Sequence, residues 1–191
     1  MTEHETKLTS ATALRAYAHP LRLRLIGLLR AEGPMTATQA AARLGGGETV
    51  PNCSFHLRQL AKYGLAERAP GIDSRERPWR ATSSSTSWED DSDDPVMQAA
   101  TDQLNHAVLD QYARRAREYL AVRPSEPVEW RVAAGFNDTL LHITAAELTE
   151  LEAQIEALLS RFEHRQADPA KRPENARLVQ LVRMALPREQ P

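Results

Sequence analysis

Residues 52–62 read Asn-Cys-Ser-Phe-His-Leu-Arg-Gln-Leu-Ala-Lys. Wound as a helix of 3.6 residues per turn, the segment sorts into two faces. Cys53, Leu57, Leu60 and Ala61 share one side and are expected to face a core. Asn52, Phe55, Arg58, Gln59 and Lys62 fall opposite, with Ser54 and His56 on the flanks. A solvent-facing row that mixes amide, aromatic and basic groups suits the major groove of DNA. There asparagine pairs with adenine, arginine with guanine, and apolar groups touch the thymine methyl. Downstream, Arg75, Arg77 and Arg80 sit around a turn, where guanidinium groups would meet phosphate or the minor groove. The expected partner of these ten residues, the seven outward or flanking ones of the helix and the three arginines beyond it, is double-stranded DNA. For His56 two readings stay open, a DNA contact or a hydrogen bond inside the domain.

Other chemistry finds less support. No nucleophile–base pattern or metalloprotease helix occurs, and Gly45-Gly46-Gly47 lacks the Lys and Ser/Thr of a phosphate-binding loop, so the chain does not read as an enzyme. Asp102, His106 and Asp110 repeat at every fourth position on one helical face. Zinc accepts such ligands, but the row reads as a solvated polar stripe, and no metal or cofactor is expected. Cys53 stands alone, which excludes an intrachain disulfide and points to a reducing cytoplasm. It also lacks a second thiol for redox sensing.

The elements that must position the basic helix are well punctuated. Ser10 can cap a first helix that ends at His19-Pro20. Pro20 suits the first turn of a second helix with Leu21, Leu25, Leu28 and Leu29 in its buried stripe. Thr36 and Gln39 form a capping box for a third helix, which stops at the three glycines. Thr49 caps the fourth, with Pro51 in its first turn and Gly64 just past its end. Leu65–Ala69 and Pro78–Thr82 then flank a polar tip and read as a two-stranded hairpin. Helix, turn, helix and basic hairpin together predict a winged helix-turn-helix over residues 1–82.

Charge divides the chain in the same place. Residues 1–82 carry 12 Lys+Arg against 7 Asp+Glu, whereas residues 83–191 carry 12 against 19. The basic part is the one expected to face a polyanion. Residues 83–94, rich in Ser and Asp, read as a linker. Residues 95–191 read as a C-terminal helix–strand–helix (α+β) module, giving a fold class of mainly α with small β. Its long first helix, from Pro95 to about Val122, carries Leu104, Val108, Leu109, Tyr112, Tyr119 and Leu120. That is more apolar surface than a small domain is expected to cover, so the helix is expected to build a homodimer. Val128–Val132 and Leu140–Ile143 read as strands, Thr144 and Glu147 cap a further helix, and residues 178–186 lean toward a strand. No apolar run reaches the roughly 18 residues of a membrane span, and none forms a signal-peptide core. No membrane partner is expected.

The segment His19-Pro-Leu-Arg22 opening a leucine-rich helix, and Ser54-x-His56-Leu57-x-x-Leu60 followed by Lys62-Tyr-Gly-Leu65 and an arginine-bearing hairpin, resemble winged-helix regulators of the ArsR type. The resemblance covers roughly residues 10–82. It implies a homodimer in which the long helix packs against residues 11–17, with Ser54, Phe55 and Arg58 where such proteins contact DNA. The functional reading is a repressor, and two-fold symmetry gives it a palindromic operator. The chain departs from metal-sensing members, because its third helix has no cysteine and its late helix lacks a second histidine. Two alternatives remain: a small-molecule effector bound in the C-terminal module around Trp130 and Phe136, or a winged helix that binds proteins and not DNA.

Overall fold

The computed structural model describes residues 5–70 and 77–188. Among the described residues the fold is mainly helical, with two small two-stranded sheets. The chain divides into two compact units, residues 1–119 and 120–191.

The first unit follows its local signals closely. Strand β1 (Glu5–Leu8) leads into α1 (Ala11–Tyr17), whose cap Ser10 accepts a hydrogen bond from the Ala13 amide. Helix α2 (Pro20–Glu32) is capped by an imidazole: His19 Nδ1 accepts the Leu21 N–H at 3.2 Å. Helix α3 (Ala37–Leu44) opens with the reciprocal Thr36–Gln39 capping box. Three successive glycines with φ of 59°, 63° and 85° then turn the chain, a run that side chains bearing a Cβ would resist. Helix α4 (Val50–Lys62) follows, with the Thr49 hydroxyl accepting from the Asn52 amide. It ends in a Schellman motif, in which Leu65 N–H donates to Leu60 carbonyl and Gly64 N–H to Ala61 carbonyl.

Strands β2 (Ala66–Arg68) and β3 (Trp79–Ala81) pair antiparallel, with Glu67 opposite Arg80 and Arg68 opposite Trp79. Met35 bridges to Trp79 through two backbone hydrogen bonds, so the hairpin is stitched to the start of α3. Leu14, Leu25, Ile26, Leu57, Leu60, Leu65 and Leu104 are fully buried and form the centre of one apolar cluster.

Three features of this unit differ from the sequence reading. The segment read as a linker contains β4 (Ser85–Trp88), paired in parallel with β1 from Glu5–Ser85 to Leu8–Trp88. Arg30 holds it in place, donating to the Ser83 carbonyl and to the Thr86 hydroxyl. Trp88 Nε1 donates to Asn105 Oδ1 on α5 (Pro95–Val122) at 2.9 Å. Serine and threonine side chains here serve as hydrogen-bond partners, which composition alone cannot distinguish from solvation. The second difference concerns α5. Leu104 is buried within its own unit, and Val108 packs against the same cluster. The expectation that this apolar face is left over for a partner therefore fails for Leu104 and is weakened for Val108. Thirdly, α1 is enclosed: Ala13, Leu14, Ala16 and Tyr17 are all buried.

The second unit departs further. Where Val128–Val132 was expected to be a strand, residues Val128–Ala133 form helix α6. Pro127 fixes a φ of −54° at its cap and Glu129 sits in its first turn, both favourable at a helix start. Residues 140–143 and 178–186 are neither strand nor helix, because period-two apolar patterning needs a neighbouring strand to become a sheet. The expected helix–strand–helix order is thus replaced by helices and irregular chain. Helix α7 (Ala145–Leu159) does open on the expected Thr144–Glu147 capping box. A short helix α8 (His164–Ala167) follows. Arg177 pairs with Glu126, and Arg183 spans Glu152 and Glu156 on α7. No described residue of this unit is buried.

Candidate nucleic-acid interface

Helix α4 turns the sequence wheel into geometry. Cys53 and Leu57 have no exposed surface and Leu60 almost none. Asn52, Phe55, Arg58 and Lys62 are exposed, Phe55 at 48%, while Ser54 and Gln59 are half-buried. A half-exposed phenylalanine has no stability reason to stand there, since burying it would release water from its ring. Arg58 donates to the Ser54 hydroxyl at 3.0 Å, one helical turn back, which holds the guanidinium along the outward face.

Of the two readings open for His56, the DNA contact gives way to a place inside the domain, as ring packing: it is buried against His19, with ring centroids 4.3 Å apart. Its flank position on the wheel lies close enough to the core for the ring to swing under α2. Burial pushes the His56 pKa down, helped by His19 and then Arg22 and opposed by Glu48. Burial likewise lowers His19, again with Arg22 acting in the same direction. The charged form of each ring is thus disfavoured, by burial and by the neighbouring Arg22.

Of the hairpin arginines, Arg75 lies outside the described residues. Arg77 is exposed. Arg80 is exposed but engaged, its Nη2 lying 2.6 Å from Glu67 Oε1 across the strand pair. Sequence reasoning missed Arg68. Its guanidinium stacks on the Trp79 ring at 3.7 Å from the centroid and donates to the Arg77 carbonyl. Its pKa is pushed down first by partial burial and then by the charges of Arg77 and Arg58. The signal was present in the sequence as an arginine three residues before the hairpin tip, but only strand pairing places it over Trp79. Arg58 of the helix and Arg77 of the hairpin both lie near enough to Arg68 for their charges to oppose its own. Such crowding raises the free energy of the unliganded protein and falls when an anion binds among the charges.

Upstream, a second set of contacts fixes the turn into α4. Arg24 of α2 donates to the Leu44 carbonyl at 2.9 Å and to Glu48 Oε1 at 3.0 Å. The other oxygen of Glu48 accepts from Asn52 Nδ2 at 3.1 Å.

The remaining candidates have structural surroundings. Burial pushes the Cys53 thiol up, with Glu48 adding to the effect, which keeps it protonated and a poor nucleophile. A ring nitrogen of His106 bonds the Asp102 carbonyl of its own helix, and the Asp102 carboxylate accepts from Gln98. Among the described residues no group of three or more His, Cys, Asp or Glu side chains is disposed to hold a metal ion. Trp130 lies under the Arg177 guanidinium, and Phe136 is exposed. No helix among the described residues is long and apolar enough to cross a membrane.

Comparison with known proteins adds one match. A search of curated proteins finds no counterpart for the chain. A family model described as a helix-turn-helix domain matches residues 17–69, from the end of α1 through β2, and so supports a DNA-binding regulator.

Proposed function

We propose that the chain is a sequence-specific transcriptional regulator of the ArsR type, a homodimer that represses by occupying a palindromic operator. Helix α4 enters the major groove with Asn52, Ser54, Phe55, Arg58, Gln59 and Lys62 toward the bases and their flanking phosphates. The hairpin reaches the adjacent backbone or minor groove with Arg68, Arg75, Arg77 and Arg80. The observation that carries this reading is the outward face of α4, on which Phe55 and Arg58 are exposed, together with the exposed Arg68 and Arg77 of the hairpin. It joins polyanion-seeking arginines to an apolar group suited to a thymine methyl. The motif His19-Pro-Leu-Arg22 with Ser54-x-His56-Leu57 supports the ArsR assignment.

One recognition helix reads too few base pairs to single out a site in a genome, which two-fold symmetry remedies. The dimer forms through the side of α5 facing away from its own core, where Leu109 is exposed and Ala113 and Ala116 are half-exposed at helical spacing. In this reading residues 1–82 are the DNA-binding part and residues 95–191 the dimerising extension.

Selection of bound duplexes from a randomised pool tests the proposal. The expected product is an imperfect palindrome with half-sites about one helical turn apart, or a multiple of it. No enrichment, with binding no stronger than to bulk duplex, overturns it.

A further inference from the structure

Glu48 lies outside the row of side chains expected to meet bases, yet one of its oxygens governs a member of that row. From the contacts at the turn before α4 we infer that Glu48 is a positioning residue that sets the base preference of Asn52, an inference that rests on the DNA-binding reading above.

An ionised carboxylate has no hydrogen to give. The group of Asn52 that meets Glu48 at 3.1 Å is therefore its NH2, and the amide cannot be turned the other way round without opposing two oxygens. Trigonal geometry then directs the Asn52 carbonyl oxygen away from Glu48, on an exposed side chain in the first turn of α4. Glu48 is itself held: its second oxygen receives Arg24 Nη1, and Arg24 Nη2 anchors on the Leu44 carbonyl. Its backbone amide donates to the Gly45 carbonyl. Glu48 and Arg24 are largely covered, with side-chain exposures of 20% and 25%, so the pair is less screened than a surface one.

An unrestrained asparagine is ambidextrous. It offers an acceptor and a donor together to adenine, or rotates to offer its NH2 to the oxygens of guanine or thymine. Held by Glu48, Asn52 commits one of its two N–H groups and presents its carbonyl oxygen as an acceptor fixed outward. In the major groove, adenine N6 and cytosine N4 donate, whereas guanine O6 and N7 and thymine O4 accept. The position read by Asn52 therefore favours an amino-bearing base, adenine or cytosine, which donates to that oxygen, over guanine and thymine, whose major-groove edges offer it no donor.

The test uses the full-length protein and duplexes carrying each of the four bases at every half-site position, in a site first selected from a randomised pool. Asn52→Ala locates the position that Asn52 reads. There the wild type is expected to prefer A or C over G or T by roughly fivefold or more, the lower end for a base contact. Glu48→Gln, whose new amide can face Asn52 either way, is expected to remove most of that preference without altering salt dependence. The double variant E48Q/N52D restores an outward acceptor whichever way the introduced amide turns, so the A/C preference returns although overall affinity falls. In the free wild-type protein, 15N relaxation should report a restrained Asn52 side-chain amide, a readout that needs no variant to fold. A wild type that selects no sequence removes the DNA reading and this inference with it. A specific wild type whose Asn52 position is unaltered by E48Q, is unread, or favours G or T overturns the inference alone, as does a freely rotating Asn52 amide.

Discussion

Helices α2 and α7 are both leucine-rich, yet their leucines meet different fates. In α2, Leu21, Leu23, Leu25 and Leu29 are buried, and Leu25 has no exposed surface. In α7, Leu158 is 58% exposed, and Leu148, Leu151 and Leu159 are only half-covered. The difference lies in their neighbours. Helix α2 is enclosed by α1, α3, α4 and β3, whereas the second unit is held by a capping box and by ion pairs at its surface. A helix stripe in the sequence states which residues could share a core. Whether they do depends on elements far away in the chain, and exposed ion pairs contribute little in their place.

Deleting a core group in each unit sharpens this contrast most. Leu57→Ala empties a fully enclosed site in α4 and is expected to cost about 2–5 kcal/mol. Leu158→Ala should change stability by less than about 0.5 kcal/mol. Chemical denaturation followed by circular dichroism measures both, and equal losses would mean that Leu158 is covered in solution.

The interface should separate stability from binding. Phe55→Ala removes an exposed ring, so the melting temperature should hold while preference at one or two base pairs falls by about 1–3 kcal/mol. Replacing Arg68 and Arg77 by Ala should weaken binding to every duplex and flatten the salt dependence by about one unit of slope per lost phosphate contact. Titration of a specific and an unrelated duplex at several salt concentrations distinguishes the two. If Phe55→Ala instead unfolds the first unit, the ring belongs to its core.

How much of this was legible in the sequence depended on the range of the interactions. Caps at Ser10, Thr36, Thr49 and Thr144 and the turn at Gly45–Gly47 are decided within four residues, and the elements they delimit follow the sequence reading. The inner face of α4 was legible for the same reason. The choice between the two readings of His56 was not, because its placement depends on His19, which meets it from the cap of α2. Arg68 needed Trp79 on the partner strand. Strand β4 needed β1, some 80 residues away, and its polar composition gave no apolar alternation to follow. In residues 128–133 the alternation Val-Trp-Val misled, since α6 is set by Pro127 and not by a sheet.

A proton-linked contrast is expected as well. Because burial holds His19 and His56 below the ordinary histidine value, the unfolded chain takes up protons that the folded first unit refuses. Their contribution to stability is full above about pH 6.5 and declines as pH falls through that value toward the lowered folded pKa. Denaturation of the first unit from pH 7.5 down to 5 should show this decline, and H19N/H56N should reduce it. A wild-type profile that is flat over this range would mean that the two rings titrate as freely as in the unfolded chain.

The smallest effect should come from the second unit's own cap. The Thr144 hydroxyl accepts from the Glu147 amide at 3.2 Å, and the Glu147 carboxylate accepts in return from the Thr144 amide at 2.7 Å. Thr144→Ala removes the first of these and frees one amide at the start of α7, at a cost of about 1 kcal/mol in helix stability. In a unit with no described buried residue, little tertiary packing opposes fraying, so the loss should appear directly as reduced helical content of α7. The first unit should melt at an unchanged temperature, because no bond of this cap reaches it. Amide hydrogen exchange measures both together: faster exchange over residues 147–151, with protection of Leu25 and Leu57 intact. Should Thr144→Ala lower protection at Leu25 and Leu57, the two units unfold as one, and the contrast between a packed and a locally held region does not describe the protein in solution.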